Sequence, residues 1–124
     1  MKRFILFIIG VIMCINVHAQ PLSEFLKNTS YNITYDDFFS PTLHMTVKNI
    51  SSKTITSIEV IVFYSTNPRE WSAPAHSEIV RVYIAPGESR TVSLEIPDKI
   101  RSRTPGTAGL TRIRFSDGSI CDIQ

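Results

Sequence analysis

Residues 43–64, LHMTVKNISSKTITSIEVIVFY, decide the fold. Leu43, Met45 and Val47 alternate with His44, Thr46 and Lys48; after a polar turn at 49–54 the same period returns at Ile58, Val60, Val62 and Tyr64. A period of two sends successive side chains to opposite faces of a strand, so each half of the stretch has one face to bury. The stretch therefore reads as a pair of antiparallel strands. It carries no set of residues for chemistry.

The same rhythm extends in both directions. Upstream, Tyr31, Ile33 and Tyr35 mark a first short strand, ended by Asp36-Asp37 and Ser40-Pro41, because Asp favours turns and Pro lacks a donor. Phe38 and Phe39 lie in that break and are expected to close one end of the core. Strands two and three are expected over 42–48 and 55–65. The segment 20–30, with Leu22, Phe25 and Leu26, reads as either a short docked turn of helix or an edge strand. Downstream, Val80, Val82 and Ile84 define a fourth strand over 78–84, and Pro86-Gly87 a type II turn. Val92, Leu94 and Ile96 define a fifth strand over 90–96. A sixth over 110–115 and a seventh over 119–123 flank Asp117-Gly118, a strong hairpin signal. With Asp117 and Gly118 as the two turn residues, Phe115 faces Ile120 and Arg114 faces Cys121, which sends Cys121 outward. Two long loops, 66–77 and 98–109, remain. Seven short strands with regular turn signals predict an all-β fold, an immunoglobulin-like antiparallel β-sandwich.

The first 19 residues have a different character. Lys2 and Arg3 precede a nearly unbroken apolar run from Phe4 to Val17, and Val17-His18-Ala19 suits a signal peptidase. The expectation is a cleaved signal peptide over 1–19, a domain over 20–124, and a protein exported to the periplasm, the cell surface or the medium. A membrane anchor would need about 20 apolar residues, and a lipidated Cys14 would need a small residue where Met13 stands. No stable membrane span is expected after processing. The chain has 13 basic and 11 acidic residues; without Lys2 and Arg3 the two balance. A neutral surface gathers no phosphates, which argues against a nucleic-acid partner. Cys121 would be the sole cysteine of the processed chain, excluding an internal disulfide.

Three segments resemble a known family. Thr46-Val47-Lys48-Asn49-Ile50-Ser51, the apolar strand Val60 to Tyr64, and Ile84-Ala85-Pro86-Gly87-Glu88-Ser89 are similar to the exported bacterial Ig-like modules of the FxLYD and cell-adhesion-related (CARDB) kind. The resemblance implies a non-enzymatic domain for adhesion, assembly or envelope scaffolding, with an envelope or surface protein as partner.

The residues offer little for catalysis, and no catalytic, cofactor or metal site is expected. His44 and His76 read as solvated, and Asp36-Asp37 as a turn in preference to calcium ligands. Asn28-Thr29-Ser30, Asn32-Ile33-Thr34 and Asn49-Ile50-Ser51 match the glycosylation pattern without implying use. Two features stand out. Trp71, between Pro68 and Pro74, either stacks on a glycan or folds back over the core. On the outer face of the third, sixth and seventh strands, Ile61, Phe63, Arg112, Arg114, Cys121 and Ile123 would form a mixed apolar and cationic patch. Either it docks a partner, or the segment carrying Phe25 and Leu26 lies over it. Cys121 as a nucleophile would need Arg114 across the hairpin to lower its pKa.

Overall fold

The computed structural model describes residues 21–65 and 73–122. The expected leader, Trp71 and Ile123 lie outside the described residues. Alternating sequence becomes seven strands: β1 (Thr29–Tyr35), β2 (Pro41–Lys48), β3 (Ile55–Phe63), β4 (Ala75–Ile84), β5 (Ser89–Glu95), β6 (Thr107–Phe115) and β7 (Ile120–Asp122). They form two antiparallel sheets, ordered β1-β2-β5 and β4-β3-β6-β7. Leu43, Met45 and Val47 of the first sheet meet Ile58, Val60, Val62, Leu110 and Ile113 of the second in one buried core. The architecture is a β-sandwich. β4 starts three residues earlier than the pattern predicts, which brings His76 out of the loop and into the strand, opposite Val62.

Among the described residues one short helix, α1 (Leu22–Lys27), precedes β1. Six residues cannot hold a helix in water. Burial does it here: Phe25 is fully enclosed and its ring lies 6.1 Å from that of Phe115, tilted by 51°. Asn28 Nδ2 and Thr29 Oγ1 donate to the last carbonyls, those of Glu24 and Phe25. The helix thus plugs one end of the core and does not lie over the outer face of the second sheet.

Asn49 joins the two sheets. Fully buried, its amide nitrogen donates to the carbonyls of Lys53 (2.7 Å) and Ile84 (2.8 Å), and its oxygen accepts from Ser51 N–H and Ser51 Oγ. Its own backbone N–H donates to Glu88 O, and Gly87 N–H donates back to Asn49 O. The β2–β3 turn and the Pro86-Gly87 turn are therefore one hydrogen-bonded unit. Gly87, at φ 80°, takes the type II position expected of it. With both amide protons committed, Asn49 has no glycosylation chemistry to offer in the folded chain.

Two hairpins depart from expectation. Between β6 and β7, Arg114 pairs with Ile120 and Ile113 with Cys121. The loop has three residues, Ser116 to Gly118: Phe115 N–H donates to Ser119 O (2.9 Å), Gly118 N–H to Phe115 O (3.0 Å), and Gly118 takes φ 88°. This is a type I turn closed by a left-handed residue, held by Asp117 Oδ1, which accepts from Ser119 N–H and Ser119 Oγ. The one-residue difference exchanges the faces of β7, so Cys121 turns inward and Ile120 outward. The β1–β2 hairpin has the same hydrogen bonds, from Asp36 N–H to Ser40 O and from Phe39 N–H to Asp36 O, with Phe39 at φ 61° in the place of Gly118. Phe38 and Phe39 do not close the core; they stand 86% and 77% exposed at the tip. Tyr64 is the buried aromatic at that end, its hydroxyl donating to Pro97 O at 2.5 Å. Burial, then the charge of Asp98 and Tyr35, push its pKa up to about 12.

Candidate functional site

The outer face of the four-stranded sheet is read most easily as rows running across its strands. In one row Ile79, Glu59, Arg112 and Asp122 stand side by side. Arg112 Nε lies 2.7 Å from Asp122 and 3.9 Å from Glu59, so its charge is answered on both sides. In the next row stand Arg81, Ser57, Arg114 and Ile120. Two arginines flank a serine there, on strands about 10 Å apart. The ion pairs among the described residues take in Arg112 and Arg90 but neither Arg81 nor Arg114. Further rows place Ile61 opposite Ser77 and Gly109, and Phe63 opposite Ala75 and Thr107.

A pair of irregularities shapes this face. The β3–β6 ladder slips by one residue between Ile55 and Ser57 and slips back between Glu59 and Val60, and the β3–β4 ladder slips at the first point as well. Bulges bend a sheet locally and re-aim side chains. Where both ladders slip, a shallow depression of about 690 Å³ opens, walled by Thr56, Ser57, Ile79 and Tyr83 and reached by Arg81, Arg114 and, from β5, Arg90. Among the described residues no acidic side chain lines it.

Of the residues expected in the patch, Ile61, Phe63, Arg112 and Arg114 do share this face. Phe63 is exposed and Ile61 half-buried. Cys121 does not belong to it: it is 5% exposed on the core side, opposite Ile113 and not Arg114. Burial, with the charge of Asp122, pushes its thiol pKa up, the opposite of what a nucleophile needs. Three exposed apolar residues on the face escape the sequence reading, namely Ile79 (66%), Tyr83 (68%) and Ile120. Alternation with Val80 and Val82 was signal enough to find the first two. Ile120 was hidden by the hairpin register.

The outer face of the three-stranded sheet is unlike this. His44 Nε2 bonds Thr34 Oγ1 (2.8 Å) and its Nδ1 bonds Ser93 Oγ (2.9 Å), while Thr46 and Thr91 hydroxyls meet at 2.7 Å. The turn carboxylate of Asp36 accepts the N–H groups of Phe38 and Ser40. On β4, in the four-stranded sheet, His76 sits 3.0 Å from Glu78. Among the described residues no three His, Cys, Asp or Glu side chains gather to hold a metal ion, and no helix is long and apolar enough to cross a membrane.

Compared with known proteins, the chain matches no family model, no curated protein and no solved structure. Its class is defined by the fold, a two-sheet antiparallel β-sandwich with one docked helical turn.

Proposed function

We propose that this chain is an exported, non-enzymatic Ig-like module that binds a protein of the cell envelope through the outer face of its four-stranded sheet. The observation that carries the reading is the exposure of Ile79 and Tyr83, two thirds open to solvent, on the face that also bears Phe63, Ile120 and two cations, Arg81 and Arg114, that have no carboxylate partner among the described residues. Isolated surface apolar residues are ordinary; a group of them rimmed by charge on one sheet marks a contact surface.

The Ig-like reading is supported by strand order, with the third strand beside the sixth and the sixth beside the seventh. β4 lies beside β3, where a constant-type domain would have it in the other sheet. It is supported also by Asn49, which ties the Val-Lys-Asn-Ile-Ser and Pro-Gly-Glu segments together and gives a physical reason for the two to occur in one chain. The buried thiol of Cys121 supports a role without covalent chemistry and argues against a disulfide between chains. Export rests on the leader-like residues 1–19.

Affinity purification of the wild type from the source organism's envelope, beside Phe63→Ser and Arg114→Glu, tests the reading. The expected result is one identified partner lost from both variants, which keep the wild-type Tm. A partner retained by both, or unfolding of Phe63→Ser, rejects it.

A further inference from the structure

The edge of the second sheet says what kind of segment its partner presents. β4 ends the strand order on that side, and among the described residues no strand pairs with its free edge. Natural edges are blunted by brevity, charge or proline. β7, the opposite edge, has three residues; β4 has ten, and it carries Ile79 and Tyr83 outward with Arg81 between them. Such an edge fits an added strand, whose backbone would complete the ladder and whose alternate side chains would read the face.

The charges select among strands. Arg81 and Arg114 reach the depression from the outer face, and among the described residues neither has an ion-pair partner and no acidic side chain lines the walls; Arg90, which reaches it from β5, is held by Glu88 at 3.0 Å. Guanidinium groups held near one another without an anion are a ready site for carboxylates, which they bind through paired hydrogen bonds. A second copy of this chain is the wrong occupant, since it would bring the same two unanswered cations, Arg81 and Arg114, toward the first pair. Resting on the docking face proposed above, we infer that the partner contributes an extended acidic segment that pairs with the free edge of β4 and sets a carboxylate against Arg81, with Arg114, two strands further in, adding to the positive field. The spacing of Ile79, Arg81 and Tyr83 along one face gives its pattern: an apolar residue, any residue, Asp or Glu, any residue, an apolar residue. That pattern reads the same in both strand directions.

The test uses a fluorescent ten-residue peptide of that pattern, with one central Glu, titrated against the full domain by anisotropy. Binding is expected to fall at least tenfold when the Glu is replaced by Gln, when alternate backbone amides are N-methylated, or in Arg81→Ala, and by a smaller factor in Arg114→Ala. Both variants should keep or slightly raise the wild-type Tm, because each removes an unanswered cation. Equal binding of the Glu and Gln peptides overturns the inference. So does binding of a uronate or sulfated oligosaccharide at Arg81 and Arg114 by a protein that ignores the peptide, which would make the depression a glycan site. Should no peptide bind while Phe63→Ser still loses its envelope partner, the acidic strand falls and the docking face stands; should Phe63→Ser keep its partner, the docking face falls.

Discussion

The two outer faces of this sandwich are built from the same alternating pattern and finish differently. On the three-stranded sheet, hydroxyls and one imidazole bond to each other from strand to strand, through Thr34, His44 and Ser93 and through Thr46 and Thr91. That surface offers a partner little it does not already have. On the four-stranded sheet one row of charge is closed, Glu59 to Arg112 to Asp122, and the next is open, Arg81 to Ser57 to Arg114, with Ile79, Tyr83 and Ile120 uncovered around it. Periodicity of two settles which residues point outward. It does not settle whether the outward surface is complete, because completeness depends on which residues stand opposite one another across strands.

The comparison is broken most severely by changing which side of β7 is core. Cys121→Arg places a charge in the interior without a partner and is expected to cost about 3–5 kcal/mol, enough to leave the domain largely unfolded. Ile120→Arg, one residue away, should shift stability by less than about 0.5 kcal/mol. Circular dichroism melts decide between them, and a reversed ranking would restore the two-residue turn. Next in size is the seam the two sheets share. Asn49→Ala leaves the carbonyls of Lys53 and Ile84 without their buried donor, at about 2–4 kcal/mol by denaturant titration.

A smaller effect comes from carboxylates at the loop ends. Asp117 is held well below its usual range by Ser119 and then by Lys53, and Glu88 by the Ala85 N–H and then by Arg90. Folded values below unfolded ones mean that this stability is complete above about pH 5 and is lost as pH falls through the folded values. Asp117→Asn should therefore lower Tm at pH 7 and converge on the wild type as the pH drops below 3. The smallest effects belong to the faces themselves. Tyr83→Ser is expected to change stability by less than about 0.5 kcal/mol, and His44→Ala by about 0.5–1 kcal/mol, since only the second breaks bonds within the protein. Tyr83→Ser costing more than His44→Ala would mean that the uncovered face is covered.

Much of the fold was legible in the sequence. All seven strands, the Pro86-Gly87 turn and the inward set Leu43, Met45, Val47, Ile58, Val60, Val62 and Tyr64 follow from alternation and turn chemistry. Three things were not, for identifiable reasons. Asp117-Gly118 serves equally a two-residue turn and the last part of a three-residue one; the side chain of Asp117 bonding Ser119 favours the second, and Cys121 changes sides. Phe38-Phe39 reads as core by composition, yet Asp36 caps the N–H groups of a tight tip that carries both rings outward. The open arginine row depends on two opposing one-residue slips of β3 against β6, whose trace in the sequence is a broken alternation: the inward pairs Ile55 and Ile58, and Leu110 and Ile113, stand three residues apart. Of the patch, Ile61, Phe63, Arg112 and Arg114 were placed on the right face; that Arg112 is answered and Arg114 is not becomes visible only with the strands paired.

The claim that one face is finished and the other is not can be put to a single measurement. A photo-crosslinking amino acid is placed at Tyr83 in one chain and at Thr46 in another, both are expressed in the source organism, and the envelope is irradiated. The account predicts a discrete protein adduct of constant mass from position 83 and none from position 46. An adduct from position 46 with none from 83, or the same adduct from both, would contradict it.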